Sequence, residues 1–191
     1  MLSQGRHVAV YARRPLDVVD ADAVRSAFVV GPERSPAQDL EYNIRQLVEI
    51  GLRALSTGIN DPFTAIAVVD HLGVALEDIF MRGLPPTVLR DDANEIRVVA
   101  NRYDTAGLTD AAFNAIRQAG RGIPALLIRM ADVLGQLAPS LKGEAERDAV
   151  LRHLGRLAET ARDAALAPTD RQTVLGRIDQ ARSAAATGSS P

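Results

Sequence analysis

Cysteine is absent from the 191 residues, which excludes a disulfide framework, thiolate metal sites and a cysteine nucleophile. Lysine is nearly absent too: Lys142 stands alone among 22 basic residues, the rest being arginine. With the abundance of alanine, that bias reads as a GC-rich coding sequence and not as a separate role for each guanidinium. The formal charge is only −2, so nothing in it calls for nucleic acid or an anionic membrane surface. No stretch reaches the roughly 20 apolar residues that a membrane helix needs. The nearest, Ile123 to Leu137, is interrupted by Arg129 and Asp132. The opening residues, MLSQGRHVAVYARR, lack the order of a signal peptide. A soluble, cytoplasmic chain is the expectation.

Catalytic and metal-binding patterns are missing as well. His7, His71 and His153 lie far apart, with no second histidine at ligand spacing. Gly5, Gly31, Gly58 and Gly83 follow no phosphate-loop spacing, and neither GxSxG nor HExxH occurs. Asp70-His71 with Glu77 and Asp78 reads as the solvated side of a helix. No catalytic residue, metal or cofactor is assigned.

What is present is ample core material, 47% hydrophobic residues, in helical periods. The pattern predicts a mainly α fold with a small N-terminal β element. His7 to Tyr11 and Leu16 to Val19 are its strands, and Asp20 caps a short helix over Ala21 to Phe28. Ser35, Pro36 and Gln38 form a capping box that opens a long helix ending at Leu55. A second long helix runs from Pro62 to Arg82, stopped by Gly83 and Pro85-Pro86. The two should pack antiparallel, because the joint between them is short. Thr87 to Leu89 and Glu95 to Ala100 suggest a β-hairpin, so one is expected near 87–100. Further helices are expected over Leu108 to Ala119, Ile123 to Ala138, Glu144 to Ala167 and Asp170 to Ala184. As domains this gives a β element over 1–19, left from a larger N-terminal region, a helical domain over 20–184 and a disordered tail over 185–191.

The joint RALSTGINDPFTA, Arg53 to Ala65, has two readings. In one it is a capped turn: Asp61 before Pro62 is a helix start, and Gly58 takes the left-handed position that closes the preceding helix. In the other, Arg53, Ser56, Asn60, Asp61 and Thr64 gather into a weak site for a small polar ligand. A bare phosphate does not suit it, because Asp61 already supplies the negative charge.

The same run resembles the soluble C-terminal part of the predicted integral membrane protein family called domain of unknown function 2254. The likeness includes Gly31 to Asp39, the helix Asn43 to Leu55 and Ala54 to Ala65. Weaker pieces are Gly5 with Val8 and Pro15-Leu16, and Ala112-Phe113 with Ile116-Arg117-Gln118 and Pro124. Thr57 departs from it, since proline is common there in the family. Family members carry transmembrane helices before this region, so the resemblance implies membrane association and either a membrane-protein partner or a membrane region missing from this chain. No reaction comes with it. The leading expectation is a non-enzymatic domain for self-assembly, as a homo-oligomer, or for regulation. A ligand-sensing module at residues 53–64 is the alternative, and a hydrolase using Asp39, Asp61 or Asp70 comes third.

Overall fold

The computed structural model describes residues 17–26, 39–99 and 103–187. Two compact units result, Met1–Ser35 and Pro36–Pro191. In the first, α1 spans Val18–Ser26. It begins before Asp20, so Val18 and Val19, expected in a returning strand, are helical. The rest of the expected β element lies outside the described residues.

The second unit is mainly α, as its periodicity predicts. Its first helix, α2 (Leu40–Ala54), starts later than the expected Pro36. Asp39 is extended and its carboxylate accepts from Tyr42 N–H at 2.9 Å, so Asp39 is the N-cap. Ser35 and its capping box lie outside the described residues. After α3 (Pro62–Arg82) come the hairpin strands β1 (Val88–Arg90) and β2 (Ile96–Val99), then α4 (Thr105–Ala119), α5 (Pro124–Gln136), α6 (Glu144–Asp163) and α7 (Pro168–Thr187). Gly83 closes α3 as expected, at φ 77°, with its N–H donating to Ile79 C=O.

The β-hairpin is antiparallel, with an irregularity between Leu89 and Arg90. Its turn is organised by Asp91, whose carboxylate accepts from the N–H groups of Ala93 and Glu95 at 3.0 and 2.9 Å. Asn94 takes the left-handed conformation there, φ 62°.

Side-chain rungs fix the helix directions. α2 and α3 are joined so tightly that Asp61 N–H donates to Ala54 C=O at 2.8 Å, and they pack as an antiparallel pair. Along α4 and α6, Asp110 meets His153, Asn114 meets Arg156 and Arg117 meets Thr160. Both helices advance together, so they are parallel. Asp70 with Arg129 and Gly73 against Val133 make α3 and α5 parallel in the same way. Asp132 with Arg177 and Gly135 against Ala181 do so for α5 and α7. Gly155 near Arg182 and Arg147 on Ala185 C=O run the other way, making α6 and α7 antiparallel.

Three successive hairpins therefore stand side by side, with α2, α4 and α6 in one layer and α3, α5 and α7 in the other. Two packed layers around one core are the usual solution for amphipathic helices. That core holds Leu72, Leu76 and Phe80 of α3, Leu108, Phe113 and Ile116 of α4, Leu126, Met130 and Leu134 of α5, Leu154 and Leu157 of α6, and Val174 and Ile178 of α7.

Further boundaries differ from expectation: α4 opens at Thr105 and not at Leu108, capped by Asp104, and α7 opens at Pro168 and not at Asp170. α6 stops at Asp163, because Ala164 turns extended at ψ 150°. α7 continues to Thr187, and Ala185, expected in the tail, is buried. Residues 188–191 lie outside the described residues.

Candidate functional site

The joint is a real reversal, built differently from expectation. Past Ala54 the chain makes one more helical turn, with Asn60 N–H donating to Ser56 C=O at 2.8 Å. The left-handed residue is Asn60, φ 50°, and not Gly58. Asparagine tolerates that region better than most residues with a side chain. Asp61 then caps α3: its Oδ1 accepts from Phe63 and Thr64 N–H, each at 3.1 Å, and its Oδ2 accepts from Thr64 Oγ1 at 2.6 Å. The Thr64 bonds hold the Asp61 carboxyl below its ordinary pKa of 3.8. Ser56 Oγ donates to Arg53 C=O at 2.7 Å, and Arg53 pairs with Glu49 one turn back.

The sequence-named residues Arg53, Ser56, Asp61 and Thr64 are thus drawn into helix ends and a surface ion pair, while Asn60 turns the chain. The carboxylates named for hydrolysis hold separate partners. Asp39 caps α2 and accepts from Tyr103 Oη, Asp61 caps α3, and Asp70 pairs with Arg129.

A different cluster emerges between α4 and α6. Asp110 Oδ1 meets His153 Nε2 at 2.7 Å, and it accepts from Arg152 Nη2 and Arg156 Nη1, each at 2.9 Å. His153 is only 1% exposed and sets its ring edge-on to Phe113, with centroids 5.9 Å apart. Burial pushes His153 down to about 4, with the Arg156 and Arg152 charges adding and Asp110 opposing. It is therefore neutral near pH 7, and its Nε2–H donates to Asp110. Burial raises the Asp110 carboxyl, but the His153 and Arg152 bonds outweigh it and the net pKa is lowered. A carboxylate so well satisfied is a poor proton acceptor, which suits a clamp better than general-base chemistry.

Beside the clamp, a groove of about 450 Å³ lies between α2 and α4, lined by Arg45, Val48, Glu49, Leu52, Asp110 and Asn114 among others. None of the joint residues lines it. Along the same seam Arg117 Nη1 donates to Thr160 Oγ1 at 2.6 Å, while Nε of Arg117 and of Arg152 is buried without a hydrogen-bond partner. Sequence reasoning passed over this cluster because its members stand about 43 residues apart. Only the phase of the α4 and α6 stripes could have hinted at it.

Among the described residues no group of acidic or histidine side chains could hold a metal ion. Nor is any described helix long and apolar enough to cross a membrane.

Comparison with known proteins agrees with the resemblance in the sequence. The uncharacterized proteins Mb1321c of Mycobacterium bovis and Rv1290c of Mycobacterium tuberculosis are each 33% identical over 152 residues. That span is 80% of this chain and 29% of each relative, so the chain covers under a third of their length. No solved structure matches. Residues 1–136 match the family described as Predicted membrane protein (DUF2254), a match that ends on the last residue of α5. With most of its length inside that match, which takes in both the joint and the α4 pieces, the chain belongs to this family of predicted membrane proteins.

Proposed function

We propose that this chain is a non-catalytic, cytoplasmic domain that pairs with a second copy of itself through the outward side of the α2–α3 hairpin. In that role it would assemble or regulate the larger membrane protein implied by its family. The observation that carries the reading is the far side of α3. Phe63 is 81% exposed, Val74 66% and Met81 58%, while Leu72, Leu76 and Phe80 are buried on the near side. At 100° per residue the three exposed side chains share one stripe with Ala67, opposite the core. Ile59 in the joint and Ile50 on α2 are also exposed.

A helix at the edge of a soluble fold normally presents polar residues to water; large apolar side chains recurring on that side, here with Asp70 among them, mark a contact surface. Its charged neighbours, Asp70, Glu77 and Asp78, make an anionic bilayer a poor counterpart. An antiparallel pairing of two α3 helices would set Phe63 near Met81 of the other copy and Ala67 near its Glu77, without facing like charges. Such self-complementarity is what a two-fold interface needs.

Sedimentation equilibrium over a wide concentration range tests this. The wild type should associate, and the pair Phe63→Glu, Val74→Glu should be monomeric with unchanged helicity. A wild type that stays monomeric at high concentration overturns the proposal.

A further inference from the structure

The seam between α4 and α6 carries more positive charge than its carboxylate balances. Arg152 and Arg156 share Asp110 as acceptor there, Arg117 lies one turn further along on Thr160, and neutral His153 adds no charge. Arg152 also lines a cavity with Asp104 and Asp148; against Asp110 alone the three cations leave a surplus of two. Glu159, which acts on Arg117 from the exposed side of α6, offsets at most one of these. The surplus stands out in a chain whose formal charge is −2.

These guanidinium groups are also held in place. Arg156 Nη1 is anchored by Asp110 and by Asn114 Oδ1 at 2.9 and 3.2 Å. Arg117 Nη1 is anchored by Thr160, whose own hydroxyl donates to Arg156 C=O at 2.8 Å. Each anchor uses one terminal nitrogen, and no described residue bonds Nη2 of either arginine. Burial, and then the charge of Arg156, lower the pKa of Arg117, with Glu159 opposing. Two neighbouring like charges, with the Nε–H of Arg117 buried and unpaired, cost stability unless an anion joins them.

We propose that the α4–α6 seam binds a phosphate group between Arg117 and Arg156, as inorganic phosphate or as a phosphate monoester. Tetrahedral oxygens can meet two guanidinium forks arriving from different helices. A carboxylate presents one planar edge, which a single fork satisfies. Because the forks are preorganised, little ordering cost falls on binding. Asp110 is a positioning residue here, acting through Arg156.

The test uses the isotope-labelled full chain at constant pH and ionic strength, following arginine Nε–H resonances. The buried Nε–H of Arg117 gives a slowly exchanging reporter. Inorganic phosphate, phenyl phosphate, acetate and chloride are titrated in parallel. Saturable shifts are expected with a phosphate species, and affinity for acetate should be at least about tenfold weaker, a gap of about 1.4 kcal/mol. Response to inorganic phosphate alone identifies the free ion as ligand; an equal or stronger response to phenyl phosphate identifies a phosphate-bearing small molecule. Arg117→Gln should remove the saturable response of Arg156 while helicity is kept, and Arg117→Lys should keep part of it. Linear shifts with every salt, equal response to acetate, or binding that survives Arg117→Gln would each overturn the proposal.

Discussion

His153 Nε2 lies 2.7 Å from Asp110 Oδ1, so a ring buried in α6 is tied to a partly exposed carboxylate on α4. The burial of that ring has a pH signature. His153 titrates near 4 when folded and at its ordinary 6.5 when unfolded. Between those values the unfolded chain binds more protons, so stability is complete above pH 6.5 and declines as pH falls toward 4. The full loss is roughly 3 kcal/mol. Asp110, also lowered when folded, adds a further loss below pH 3.8. Urea unfolding at pH 7.5 and pH 4.5 should show the fall, and His153→Phe should flatten it over that interval.

Removing the shared acceptor should be worse than removing any one donor. Asp110→Ala leaves His153, Arg152 and Arg156 without the oxygen on which they converge. The expected cost is about 1–3 kcal/mol, limited by the partial exposure of the pair partners. Arg152→Ala should cost less than half of that in the same denaturation experiment.

At the joint the backbone sets the outcome. Asn60 sits at φ 50°, where a β-branched side chain is strained by about 1–2 kcal/mol. Asn60→Val should therefore lower the midpoint of thermal unfolding clearly, and Asn60→Gly should barely move it.

Between α3 and α5 the limit is space. A methyl group added at Gly73 would lie 2.4 Å from Val133 Cγ1, and Val133 is itself buried. A β-branched side chain in a helix has little freedom to swing away. Gly73→Ala should destabilise by about 1–3 kcal/mol net of its gain in helix propensity. Combining it with Val133→Ala should cost less than the two separate effects added together, a coupling readable from a double-mutant cycle.

Legibility in the sequence followed local punctuation. α3 was readable at both ends because Asp61-Pro62 and Gly83 are strong signals, and the β-hairpin because Asp91 to Asn94 is rich in turn residues. The end of α6 was not. Ala164 to Leu166 favour helix by propensity, with Pro168 acting only against Ala167, yet the chain turns at Ala164, Leu166 goes into the core and Arg171 Nη2 takes the carbonyls of Ala164 and Leu166. Tertiary contacts override propensity there. Gly58 looked like the left-handed residue because glycine usually is, but the extra turn after Ala54 moves that position to Asn60. The α4–α6 cluster had no local trace. Its arginines read as codon bias until their partners came into view.

The strict alternation of layers gives the helical unit two unlike edges. The connections at 55–61, 120–123 and 164–167 gather along one, where the reversals are pinned by backbone bonds such as Asp61 N–H to Ala54 C=O. The β1–β2 link, described over 83–99, and the link 137–143 run along the other, where Tyr103 reaches Asp39 and Lys142 reaches the Met81 carbonyl. The β1–β2 ribbon already extends that second edge without disturbing a single rod. New segments are best grafted there: this border absorbs added length, while the opposite one holds the protein's gauge.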